Sequence, residues 1–213
     1  MQGKSLDMNS YPRRAHFDYF RAMTDPYAGV TVNVDVTELV TECKQKNRSF
    51  FLAFLHIVAL AANDVPELRQ RICGDGIVEY PVCDTSHIEL PASGAYCYCT
   101  VHHQNLTWEE YFTQAKIQQK KAVEDPSIEE DDDVDSLLFI SCVRWLNYVQ
   151  LKQPVPNEGS NPRITWGKYE KDYRGRLMMP VSLFVHHSLV DGVHLGAFYS
   201  RLDELLQANI GCL

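Results

Sequence analysis

No stretch of this 213-residue chain is apolar for long enough to cross a bilayer. The longest apolar run, Phe50 to Ala62, contains His56 and falls short of the roughly 20 residues that a spanning helix needs. It reads instead as an interior helix. A basic surplus is also missing: 20 Lys and Arg face 28 Asp and Glu, a formal net charge of -8. Nothing is left over to neutralise nucleic-acid phosphates or an anionic membrane. Seven cysteines form no regular framework, and Cys97-Tyr98-Cys99 is too tightly spaced for a Cys-x-x-Cys redox or zinc element. Their odd number favours reduced, mostly buried thiols in a cytosol. Met1 to Tyr11 is polar and lacks the apolar core of a signal peptide, so a cytoplasmic protein is expected. With no internal repeat and no linker, one domain over residues 1–213 is expected.

What is present is a mixture of strand and helix patterns. Val30, Val32, Val34 and Val36 alternate with polar residues, the period of a strand with one buried face. Helices are predicted over Thr37 to Asn47, over Phe50 to about Asn63, and from Trp108 to about Val123 behind a Thr107-x-x-Glu110 capping box. Gly74-Asp75-Gly76 marks a hairpin turn, and further strands are expected over Ala95–Val101 and Leu137–Val143. Ile164–Tyr169 and Arg176–Val185 form a hairpin turning near Gly175, and a last helix runs from Asp191 to about Ala208. Glu129 to Asp135 reads as a solvated acidic loop and Pro154 to Pro162 as a Pro/Gly/Asn/Ser loop. Strands and helices intermix without a strict βαβ rhythm, so the expected fold is an α/β two-layer sandwich with a mixed β-sheet.

The chemistry concentrates near the C-terminus. The strongly apolar run Leu177–Val185 delivers His186-His187, and Asp191-Gly192 follows four residues later. A polar group at the end of a buried strand must find partners or a task, and imidazole is the side chain suited to taking a proton near neutral pH. The segment resembles the His-His-x-x-x-Asp-Gly signature of CoA-dependent acyltransferases. Arg13–Phe17, Asp25-Pro26-Tyr27, Leu138–Trp145 and Asp191–Gly196 extend the resemblance to the chloramphenicol acetyltransferase family over nearly the full chain.

That resemblance implies a transferase of the chloramphenicol acetyltransferase-like fold, with acetyl-CoA as co-substrate and no metal. In it, His187 deprotonates an acceptor hydroxyl, with its other ring nitrogen bonded to a main-chain carbonyl. Ser141 stabilises the tetrahedral oxyanion. Asp191 pairs with Arg13 to hold the corner, and Gly192 permits a close approach there. Tyr27 and Trp145 line the acceptor and CoA ends of the channel, and His102 walls the drug pocket. A homotrimer with active sites between subunits, and antibiotic resistance as its use, follow from the family. After Trp145 the chain departs from the family pattern at Leu146–Gln150, which with His102 leaves open another hydroxylated acceptor. A non-catalytic trimeric small-molecule binder on the same fold is the third possibility. A dihydrolipoyl acyltransferase core is expected to carry lipoyl and linker segments ahead of it.

The same residues have plainer readings. His187, Asp191 and His194 stand at i, i+4 and i+7, a zinc-like spacing if all lay on one helix, but Asp-Gly more naturally begins a helix. Neighbouring His102 and His103 should point to opposite faces, as should Ser141 and Cys142. Trp145 is expected to be buried whatever the function.

Overall fold

Residues 2–91, 94–129, 133–156 and 159–213 are described in a computed structural model. Strand β1 (Lys4–Ser5) leads to helix α1 (Arg14–Arg21), which inserts Phe17 into the core. Then come β2 (Tyr27–Asp35), α2 (Thr37–Gln45) and α3 (Phe50–Asn63). The Ser49 hydroxyl caps α3 by accepting the Leu52 N–H, and ten of its fourteen residues are buried, as its apolar run requires. β3 (Gln70–Cys73) and β4 (Gly76–Glu79) meet at Gly74, whose φ of +57° suits glycine. β5 (Asp84–Glu89), β6 (Cys97–Val101) and α4 (Trp108–Glu124) follow, α4 opening with the Thr107–Glu110 capping box. The chain closes with β7 (Leu137–Val143), β8 (Arg163–Gly167), β9 (Glu170–Lys171), β10 (Leu177–His186) and α5 (Gly192–Ala208). Of the acidic run, residues 130–132 lie outside the described residues, as do 157 and 158 of the Pro154–Pro162 loop.

The main sheet runs β2-β10-β8-β7-β5-β6, with β9 added beside β10. β5, β7 and β8 are parallel, while β10 is antiparallel to both β2 and β8, so the sheet is mixed as expected. Helices α3, α4 and α5 cover one face. Phe54 of α3 meets Trp166 at 5.0 Å, Tyr111 of α4 donates to the Leu52 carbonyl at 2.9 Å, and Tyr199 of α5 donates to the Val181 carbonyl at 2.8 Å. The other face carries a row of hydroxyls in register, from Ser141 to Thr165 to Ser182 to Thr31. Thr31 and Ser182 share a 2.7 Å hydrogen bond, and Tyr148, from the segment after β7, contacts Ser182 at 3.1 Å and donates to the Thr165 carbonyl at 2.9 Å.

Two features brace this arrangement. A Cβ on Gly167 would sit 2.5 Å from the Leu146 carbonyl oxygen and 2.9 Å from Tyr148 Cε1, so the close seating of the post-β7 segment needs glycine there. Under the helices, His56 and His103 meet Nδ1 to Nδ1 at 3.0 Å, one donating to the other, and His103 Nε2 shares a 2.7 Å bond with Thr85. Burial pushes His56 down to about 4, and burial with the neighbouring histidines lowers His103 as well.

Gly167→Ala is expected to lower stability by about 1–3 kcal/mol through overpacking against backbone, read as a lower urea midpoint. Gly76→Ala, where the nearest atom to the new Cβ lies at 3.8 Å, should stay within about 0.5 kcal/mol. Because the folded-state values of His56 and His103 lie below the unfolded value near 6.5, their contribution is complete above that pH and is lost as pH falls toward 4. The unfolding free energy from urea titration should therefore drop between pH 7 and 5, by up to about 1.4 kcal/mol per pH unit for each histidine. A flat midpoint across that range refutes the neutral pair.

Candidate active site

β10 ends at His186, and the His187 main-chain N–H donates to the Pro26 carbonyl at 2.7 Å, tying the strand end to the start of β2. The half-buried His187 ring stacks on Phe20 of α1, centroids 3.8 Å apart and planes within 10°. Its Nδ1 is buried without a hydrogen-bond partner among the described residues. The main-chain carbonyl bond implied by the resemblance is thus replaced in this chain by a stacking contact, which fixes the ring plane. His186 beside it is buried, and its Nδ1 accepts the Ser188 N–H at 3.3 Å. Burial, then Arg21 and His187, push His186 down to about 4, so His186 stays uncharged near neutral pH. Phe20 lies outside the matching stretch, which ends at Phe17, and nothing in the sequence alone brings it to the end of β10.

The corner after His187 is held by Asp191. Its Oδ1 accepts the Val193 N–H at 3.0 Å as the N-cap of α5, while its own N–H donates to His194 Nδ1 at 3.1 Å. Arg13 reaches Asp191 Oδ2 at 3.1 Å off the hydrogen-bonding direction, an ionic contact, and also donates to the Leu189 carbonyl. Burial opposes ionisation of Asp191, but His194, the Val193 N–H and Arg13 outweigh it and hold the carboxyl below its ordinary range. The two side chains remain 18% and 35% exposed, so solvent screens the pair and its loss costs less than that of a fully buried one. Gly192 departs from expectation: a Cβ there would meet nothing within 4 Å, so no close approach within this chain explains it. His194 serves the helix cap and approaches Glu67 at 3.5 Å. Among the described residues no group of three His, Cys, Asp or Glu side chains could hold a metal.

Ser141 lies elsewhere. With Cys142 and Trp145 it lines a cleft of about 810 Å³ walled by Phe50, Tyr96 and Tyr169. Trp145 corrects an expectation, being 66% exposed, because β7 ends two residues earlier and the indole stands in the turn under the Arg144 guanidinium. Tyr27 lines a second cleft of about 480 Å³ with Thr31, Ser182 and Phe184, its hydroxyl donating to the Gly159 carbonyl at 2.9 Å. His102 lines neither cleft. It is 54% exposed and donates to Asp84 at 2.6 Å, at the end of β5 that pairs with Leu137 rather than near Ser141. Its neighbour His103 is buried, so the pair does face opposite ways.

The register separates Ser141 from His187. Ser141 pairs with Thr165, Thr165 with Ser182, and His187 lies five residues further along the β10 direction. Two strand spacings and five residues of rise put them on the order of 15–20 Å apart. One chain alone does not bring these two side chains to a single reacting centre.

The comparisons agree with this architecture. The sequence profile of the chloramphenicol acetyltransferase family matches residues 1–203. A chloramphenicol acetyltransferase of Escherichia coli is 26% identical over 213 residues, covering 94% of this chain and 92% of its own. Chloramphenicol acetyltransferase 3 of Escherichia coli is 25% identical over 224 residues, covering 99% and 100%. A solved chloramphenicol acetyltransferase superposes with a TM-score of 0.83 at 25% identity, covering 96% of this chain and all of the other. A probable dihydrolipoamide acetyltransferase from Listeria monocytogenes, at 17% identity and a TM-score of 0.70 over 96% and 94%, shares the fold. By its sequence over almost its whole length and by its overall fold, this chain belongs to the chloramphenicol acetyltransferase family of acyltransferases.

Proposed function

We propose that this chain is a cytoplasmic O-acetyltransferase that moves an acetyl group from acetyl-CoA to a hydroxyl of chloramphenicol or a similar small alcohol, acting as a homotrimer. His187 takes the hydroxyl proton as the oxygen attacks the thioester carbonyl. The tetrahedral oxyanion is stabilised by the Ser141 hydroxyl, and the CoA thiolate leaves with the proton returned from His187. The observation that carries the reading is the half-buried His187 ring, held flat on Phe20 at the end of a strand paired on both sides. Such a ring is oriented in advance, which is what a general base requires.

The separation of Ser141 from His187 supports assembly. If both serve one reaction, the serine facing a given histidine comes from another copy, and the Ser141 cleft receives the histidine corner of its neighbour. The family relatives carry chloramphenicol in their names, which favours that acceptor. The Leu146–Gln150 segment and the tied hydroxyl of Tyr27 set the pocket apart, so a panel of hydroxyl compounds is the appropriate assay.

Thiol release from acetyl-CoA should depend on chloramphenicol or a panel member. His187→Ala should lose at least about 10²–10⁴-fold in kcat, and Ser141→Ala about 10²–10³-fold. Mixing these two inactive variants under conditions that exchange subunits should restore part of the activity, because some interfaces then pair an intact His187 with an intact Ser141. No recovery in demonstrably mixed oligomers argues against a shared centre. Asp191→Ala should lower stability by about 1–2 kcal/mol through loss of the cap, and Asp191→Asn should regain most of it. If Asp191→Asn instead abolishes turnover as completely as His187→Ala, Asp191 belongs to the proton chemistry rather than to the corner.

A further inference from the structure

The cleft that begins at Ser141 must, on the transferase reading above, also accommodate the long nucleotide end of acetyl-CoA. That end carries several phosphate charges, and the protein carries a net charge of -8. Its overall field therefore opposes the co-substrate, and local cations have to reverse it. Two basic side chains line the cleft among the described residues, Arg144 and Lys168. Lys168 is already engaged, its Nζ lying 3.4 Å from Glu170.

Arg144 stands three residues beyond Ser141, just past the end of β7, with its guanidinium 5.0 Å from the centre of the Trp145 ring. It is exposed, and among the described residues no carboxylate forms an ion pair with it. Glu89 is the acid lining the same cleft, but its Oε1 accepts from His87 Nε2 at 3.1 Å and from Gln119 Nε2 at 2.5 Å. Arg144 acts on this carboxylate only through space, helping to hold it below its ordinary range, while His87 and Gln119 make its hydrogen bonds. A guanidinium stacked on an indole keeps its N–H edge free, and that planar fork matches phosphate oxygens.

We propose that Arg144, stacked on Trp145 at the rim of the Ser141 cleft, anchors a phosphate of the acyl-CoA nucleotide and so sets the preference for CoA thioesters over shorter ones. The proposal rests on the transferase reading for its substrate, and its contact is separable from the chemistry at Ser141.

The test compares acetyl-CoA with S-acetylpantetheine, which has the same thioester arm without the nucleotide phosphates, on the full-length protein and on Arg144→Ala and Arg144→Lys. Arg144→Ala should raise the KM for acetyl-CoA about tenfold, the loss of one charge-assisted contact, with kcat and the S-acetylpantetheine KM unchanged. Arg144→Lys should recover part of the loss, since it keeps the charge but not the fork. An equal change for both thioesters, or none for either, overturns the proposal: the first marks a packing role through Trp145 and the second an idle surface arginine. Calorimetry with CoA and with pantetheine reads the same contact without turnover. Arg144-dependent CoA binding by a protein that transfers no acetyl group to any alcohol sinks the transferase reading and supports the anchor. Absence of CoA binding by the unaltered protein overturns the anchor.

Discussion

The pairing of β10 with strands on both of its sides is the constraint on which the rest of the structure depends. Nine consecutive residues, from Met178 to His186, are in register with β2, and four of them also pair with β8. A one-residue slip would send Val181, Leu183 and Val185, all buried against the helices, to the opposite face. It would also rotate the histidine pair and detach the main-chain bond from His187 to Pro26. The position of the imidazole is thus set by the burial of the strand that delivers it. Phe20 and the Arg13–Asp191 contact refine that position from outside the sheet.

The hydroxyl-bearing face and the helix-bearing face then divide the labour. Apolar side chains of the sheet pack on α3 and α5, where Phe54 and Tyr199 close on Trp166 and Val181. Ser141, Thr165 and Ser182 face the other way, beneath the segment that follows β7. The hydroxyl row is therefore offered from one side of the sheet, and Ser141 and His187 stand at different places on it. A chain built this way needs a second copy to complete a centre that uses both.

Much of this was legible in the residues themselves. The apolar run of α3, the capping box of α4, strand β7 and the Asp191 start of α5 follow from local pattern, because each has a strong period or an end signal. β5 was not, since its buried residues Thr85, Ser86 and His87 are polar, Thr85 bonding His103 and His87 bonding Glu89, rather than forming an apolar stripe. α1 is harder to read because it is only eight residues long, is mostly polar and buries a single side chain. The Arg13–Asp191 contact was legible through the resemblance, which also supplied Ser141 and His187 as the proposed catalytic pair. The exposure of Trp145, the remoteness of His102 and the free space around Gly192 were not, because each depends on where a strand stops or which strands become neighbours.

The row of hydroxyls under Tyr148 has a consequence for how its cover is held. Peeling the covering segment away would uncover groups that water satisfies well, so hydrophobic adhesion contributes little to keeping it down. Its seat is defined instead by shape, where a carbonyl nestles into the space left by a missing side chain at position 167. A wall fastened by fit rather than by grease can change its sequence freely above that notch, and so offers different surfaces to small molecules while the sheet beneath stays as it is.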